Sequence, residues 1–345
     1  MPWTLELDEL PALSKGAALL GGGGGGVPRL MALSAVEAAS WPVTVHTLDE
    51  VEPSTPCVAV GIGGSTMVFG ERLPQSDLFA EAIATIDRWT GTPARAVCLS
   101  EVGGMNALSA LPLAHELQLV DVDLMGRALP QLDQFTLLAD DVPGLVVAIS
   151  AWTRGTLLMT DVRPADVEQV LRAAFQAAGG WAGVVIGGFT VGDLEEHGIA
   201  GGLSRALEVG AAWDAEPMPI ESRIAAIGAQ QLGIGRVTSV EHDAADVRVR
   251  TFGITAPDGA LLRLITRDET LACMVDGRVL ARAPQIIDVV DPQTGSVLQV
   301  DDIAVGKSVA VLALEAPSWW TQDAERLARV VPSRYGLEGL DVVHA

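Results

Sequence analysis

Six consecutive glycines, Gly21 to Gly26, followed by Val27 and Pro28, constrain this chain more than any other feature. Inside a helix or strand each glycine costs roughly 0.5–1 kcal/mol relative to alanine, so the run marks a loop whose bare backbone approaches something closely. Its flanks define the loop. Leu5 to Leu20 places apolar residues at near-helical spacing, and Pro28 to Ser40 reads as a second helix with proline in its first turn. A dinucleotide fold needs a strand before its glycines, and the Gly-Lys-Ser/Thr ending of a phosphate loop is missing here. No nucleotide cofactor is expected. Two readings stay open: an anion or polar ligand edge held by amides at the start of the second helix, or a flexible interhelical joint.

A chain of 345 residues exceeds the usual size of one compact domain, so two are expected. With 49% hydrophobic and 19% charged residues the composition is that of a folded soluble protein. It has neither an apolar run long enough to span a membrane nor a signal peptide at Met1, and a cytoplasmic location is expected. The net charge of −22 divides evenly, with 19 acids against 8 bases in residues 1–165 and 25 against 14 in 166–345. Such a surface argues against nucleic-acid or anionic-membrane partners. Cys57, Cys98 and Cys273 are odd in number and far apart, which suits neither a disulfide framework nor a CxxC metal site.

Residues 56–62 form an apolar strand, residues 63–67 a glycine turn, and Ser76 or Asp77 caps a helix to about Arg88. Strands at 94–100 and Leu119 to Asp123 flank a helix from Ala107 to Leu117, interrupted at Pro112. Alternating strands and helices imply βαβ units in a mostly parallel sheet. A hairpin over 144–160, with Arg154 and Gly155 near its turn, closes this part. A helix from Ala165 to Ala178, a strand at Val184 to Ile186 and helix over 202–232 follow. From Gly235 onward short alternating segments broken by PDG, DGR and DPQTG turns predict antiparallel strands. The expected organisation is an α/β N-terminal domain, residues 1–164, carrying the glycine-rich interhelical loop, and a C-terminal α+β domain, residues 165–345.

Glu101 follows directly on the strand 94–100 and precedes Gly103, Gly104, Met105 and Asn106, at the strand end where parallel sheets open their binding crevice. Asp121 and Asp123, two apart on the next strand, point the same way, with Arg127 close behind. If the two strands are parallel neighbours, these acids converge, to bind a metal or to move protons. Equally, the aspartates cap loops and Arg127 makes a structural ion pair. No histidine pair has metal-ligand spacing, so a divalent ion would take ligands gathered across the fold, with Asp121, Asp123 and His197 as candidates. Trp319 and Trp320, with Arg334 and Tyr335 downstream, form either a stacking wall for a flat ring or the core of a C-terminal lobe.

Four motifs in order, LLGGGGGGVP, EVGGMN, VDVDLMGRALPQ and LEAPSWWT with SRYG, resemble the S-methyl-thiohydantoin desulfurase-like family over nearly the whole chain. The resemblance implies desulfuration of a small cyclic amide or thioamide, a thiohydantoin or hydantoin-like ring. Glu101, Asp121 or Asp123 would supply the base, a thiophilic cation such as zinc the electrophile. Amides of Gly23, Gly24, Gly25 and Gly26, with Gly103, Gly104 and Asn106, would hold the ring, and Arg127 or Arg154 a substrate carboxylate. A non-catalytic role beside a hydantoinase or oxoprolinase is the alternative, and a homo-oligomer stays open. The chain departs from the family's usual pattern at Gly22 (threonine), Val27 (an acid), Val122 and Leu124 (glycines) and Gln131 (glutamate). Polar groups usual there are missing, which leaves the exact substrate open.

Overall fold

The computed structural model describes residues 2–71, 78–151, 155–161, 163–215 and 218–344. Nine strands build the first sheet: β1 (Trp3–Leu5), β2 (Val43–His46), β3 (Pro56–Gly64), β4 (Ala96–Leu99), β5 (Gln118–Asp123), β6 (Val146–Ser150), β7 (Thr156–Met159), β8 (Trp181–Thr190) and β9 (Ile199–Ala200). Their order is β1-β2-β5-β4-β3-β8-β6-β7, with β9 on β5. The neighbours β2, β5, β4 and β3 run parallel, as expected of strands alternating with helices. Antiparallel β1 flanks them on one side, and β8, β6 and β7 on the other. Cys57 to Ile62 of β3 are all buried, the signature of a strand covered on both faces.

Helices Leu10–Leu19 and Arg29–Ala38 enclose the glycine run, which is therefore an interhelical loop. The first packs on helix Gly202–Trp213. Helix Ala80–Thr90 ends at Gly91 in the left-handed conformation, φ 71°; the expected caps Ser76 and Asp77 lie outside the described residues. The predicted helix from Ala107 to Leu117 is instead two 3-10 turns, Gly104–Leu108 and Leu111–Leu113, because Pro112 removes a donor in mid-segment. The expected strand at Val184 to Ile186 is the middle of the longer β8. That strand lies beyond residue 164 in sequence yet completes the first sheet between β3 and β6.

Residues 202–232 are not one helix. Helices Gly202–Trp213 and Ile220–Ala226 are separated at Pro219, and a strand begins at Gln230. The second sheet comprises β10 (Gln230–His242), β11 (Val249–Thr255), β12 (Leu261–Arg267), β13 (Glu269–Val275), β14 (Arg278–Arg282), β15 (Ile286–Val290) and β16 (Ser308–Leu314), all antiparallel. It runs β14-β13-β12-β11-β10-β16-β15 and curls until β13 meets β15. Its core is Phe252, Leu264, Cys273, Ile287 and Val311. Among the described residues no helix is long and apolar enough to cross a membrane.

Candidate functional site

A cavity of about 410 Å³ opens where the carboxyl ends of β3 and β4 face the second sheet. The glycine run forms one wall through Gly23, Gly24 and Gly25; Gly61 to Gly64 come from the end of β3, Glu101, Asn106 and Gln131 from the first sheet's loops, and Arg250, Glu269 and Val300 from the second sheet and its loops. Backbone hydrogen bonds fix the run from three sides. Gly22 O accepts from Thr270 N and Gly23 O from Val300 N, both at 2.8 Å, while Gly25 O accepts from Met105 N at 2.9 Å. The run is thus a seam between the sheets, and the reading as a flexible joint is overturned. Side chains are excluded by what lies against it: a Cβ on Gly25 would stand 2.6 Å from Gly103 O, and one on Gly24 2.6 Å from Glu269 Cδ.

Glu101 faces the cavity just past β4. Its Oε1 accepts from Asn106 Nδ2 at 2.7 Å, and Asn106 is itself clamped to the Ile62 backbone, accepting from Ile62 N at 2.7 Å and donating to Ile62 O at 3.0 Å. Both amide hydrogens of Asn106 are engaged, so it orients Glu101 instead of offering a free donor to a ring carbonyl. Burial pushes the Glu101 carboxyl up to about 8, against the pull of the Asn106 hydrogen bond. A group so placed exchanges protons near neutral pH.

Other candidates do not line the cavity. Asp121 and Asp123 do point the same way, toward the N-terminus of helix Gly202–Trp213. Asp121 accepts from Leu203 N at 2.7 Å and from Ser204 N and Oγ at 3.2 and 2.7 Å, a helix-terminus cap. Asp123 is fully buried, accepts from Met125 N at 2.9 Å and from Gly126 N, and leaves Oδ2 without a partner. Desolvation raises it to about 7 despite those amides. Gly103 and Gly104 pack against Ala128 and Gly25, and Gly26 against Met105, supporting the glycine wall from behind. Arg154 lies outside the described residues.

Arg127 is wholly buried between the sheets. It donates from Nε to Ala128 O at 2.8 Å, from a terminal nitrogen to Gln285 O, and to Thr270 O at 3.4 Å. A Cβ at Gly22, whose φ is 58°, would collide with the guanidinium, so glycine here accommodates this arginine. Burial lowers Arg127 from its ordinary value, and Glu269, Tyr335, Asp288 and Glu101 oppose that fall. It is a strut between the sheets with its hydrogens directed at backbone oxygens, not a grip on a substrate carboxylate.

The expected metal ligands are not brought together. His197 Nδ1 lies 2.7 Å from Asp140 Oδ2, which also accepts from Arg326, whose guanidinium stacks 3.9 Å over Trp319. Asp121 has both oxygens engaged by the helix terminus. Among the described residues no group of three or more His, Cys, Asp or Glu could hold a metal ion. The described residues therefore do not assemble a site for one. Trp319 and Trp320 likewise form no wall for a ring: their rings meet edge to face at 4.7 Å in the core beneath the first sheet, and Trp320 Nε1 donates to Met125 O at 2.8 Å.

Glu269 has no motif around it to mark it in advance. Alternation does not single it out either, because β13 is buried on both faces from Glu269 to Cys273.

Fold and site together define a two-sheet α/β protein with a carboxyl-lined cavity between its sheets. Residues 8–161 match the model for "S-Me-THD-like, N-terminal domain" and residues 162–344 that for "S-Me-THD-like, C-terminal domain"; the chain belongs to this S-Me-THD-like family, the one its motifs resemble. A crystal structure of a protein from Chromobacterium violaceum is similar in fold, with a TM-score of 0.82 at 21% identity and 99% of each chain covered. None of the curated proteins matches.

Proposed function

We propose that this protein is a cytoplasmic hydrolase of S-methyl-thiohydantoin or a related cyclic thioamide, with Glu101 as its acid–base residue. The observation that carries the reading is the half-buried Glu101 carboxyl, locked by Asn106 and facing a cavity of about 410 Å³ walled by bare glycine backbone. The membership of the chain in the S-Me-THD-like family supports the ring class. In the S-methyl ring the reacting carbon is bonded to sulfur and doubly bonded to a ring nitrogen. The Glu101 carboxylate takes a proton from water as the oxygen–carbon bond forms and the π pair moves onto that nitrogen. Glu101 then protonates the nitrogen, and takes the remaining hydroxyl proton as the carbonyl forms and the carbon–sulfur pair departs on sulfur. General acid–base catalysis of this kind contributes about 10²–10⁴-fold.

The test is release of methanethiol from S-methyl-thiohydantoin by the purified protein. Glu101→Gln should lose at least about 100-fold in kcat while binding the oxygen hydantoin unchanged. Full turnover by that variant would sink the assignment.

A further inference from the structure

Glu269 enters the same cavity from the opposite sheet. It is 5% exposed, lines the cavity with Glu101, and its Oε2 is buried without a hydrogen-bond partner. Its position is built into the fold. Asp268, at φ 66°, turns the chain tightly between β12 and β13, pairing Arg267 with Glu269. The next residue, Thr270, is bonded to Gly22 O, and the carboxyl lies on the bare Gly24 backbone. Arg127 comes near it but directs its hydrogens to backbone oxygens. An unpaired buried carboxylate would carry a large desolvation cost, whereas the protonated acid presents an O–H to whatever occupies the cavity.

The reaction described above ends with the proton on Glu101 and sulfur departing as a thiolate, with no acid placed at sulfur while the carbon–sulfur bond breaks. We propose that Glu269 is a second catalytic residue, the acid that gives its proton to sulfur as the carbon–sulfur bond breaks; this rests on the desulfurase reading. In that step the bond pair goes to sulfur, methanethiol leaves neutral, Glu269 is left as carboxylate and Glu101 holds the hydroxyl proton. Transfer of that proton from Glu101 to Glu269 through water resets both groups. The groups facing Glu269 suit the role: burial first, then Asp268 and Glu101, hold its carboxyl well above the usual range, with Arg127 opposing, and Tyr335 completes the surroundings. The two carboxyls come from different sheets, so the reaction needs both domains docked at the glycine seam.

Substrates with different leaving thiols test this in the full-length protein. Glu269→Gln should reduce kcat on S-methyl-thiohydantoin about 100-fold yet leave kcat on the S-nitrophenyl ring, whose acidic thiol departs unaided, within about threefold of wild type. Equal losses on both rings, or none on the S-methyl ring, would overturn the proposal. If the variant does not fold, an S-alkyl and S-aryl series on the wild-type protein decides. Rates nearly independent of thiol acidity are expected, and a steep fall toward the less acidic thiols would overturn the role. A wild-type protein that releases thiol from no member of the series removes the desulfurase reading itself and this role with it.

Discussion

The carboxyl of Glu269 rests on Gly24, so close that a Cβ there would stand 2.6 Å from its Cδ. Gly24 does not have the positive φ of its neighbours Gly22 and Gly23, so alanine at this position meets a side chain and no backbone strain. Gly24→Ala should therefore displace Glu269 from the cavity, cutting thiol release about tenfold or more, with a stability loss of about 1–3 kcal/mol from overpacking. Initial rates and urea midpoints measure the two effects separately. A variant with wild-type rate would mean that Glu269 has no fixed place at the seam.

Arg127 carries the positive charge buried among Glu101, Glu269 and Asp288, and it ties Ala128 to Thr270 and Gln285 across the sheets. Arg127→Met removes those hydrogen bonds and leaves the backbone oxygens of Ala128, Thr270 and Gln285 buried without their donor. Each such unsatisfied group costs about 1–3 kcal/mol, to be read from urea unfolding. Arg127→Lys should recover little, because an ammonium cannot reproduce the planar fork that meets three backbone oxygens.

What could be read from sequence was what neighbouring residues determine. The glycine run announces a close approach whatever it approaches, and Glu101 at a strand's carboxyl end announces a crevice because parallel sheets open there. Whether Asp121 and Asp123 face that crevice depends on the terminus of a helix about eighty residues downstream, which no local pattern reports. The alternative that they act as caps is the arrangement found for Asp121. Trp319 and Trp320 present the same ambiguity, since a buried indole and a ligand wall have one sequence signature, and Met125 and Glu196 decide it by accepting the two indole hydrogens. Glu269 was hidden because its meaning arises only when the second sheet docks on the glycine loop.

The cap at Asp121 and the hydrogen bond at His197 make their own prediction. Asp121→Ala should cost about 0.5–2 kcal/mol of stability, the worth of a helix cap, with kcat on the S-methyl ring unchanged. His197→Ala should likewise leave turnover intact, since the ring is engaged by Asp140 well away from the cavity lining. A large loss of turnover in either folded variant would return these residues to the site.

Burial sets Glu101 at about 8 against an ordinary 4.5, and Asp123 at about 7 against 3.8. In the unfolded chain both ionise near their ordinary values, so between about pH 4 and 8 the folded state binds more protons than the unfolded state. Stability is then full below pH 4 and falls as pH rises through that window. Glu101→Gln removes the contribution of Glu101. Relative to wild type it should gain on the order of 1–3 kcal/mol between pH 5 and 8, a value discounted from the full shift because the carboxyl borders the cavity. Over the same range wild-type turnover should rise as Glu101 ionises to accept the proton of water. Urea midpoints and initial rates at pH 5, 6.5 and 8 check both slopes, and parallel curves for wild type and Glu101→Gln would show that Glu101 ionises as an ordinary surface carboxyl.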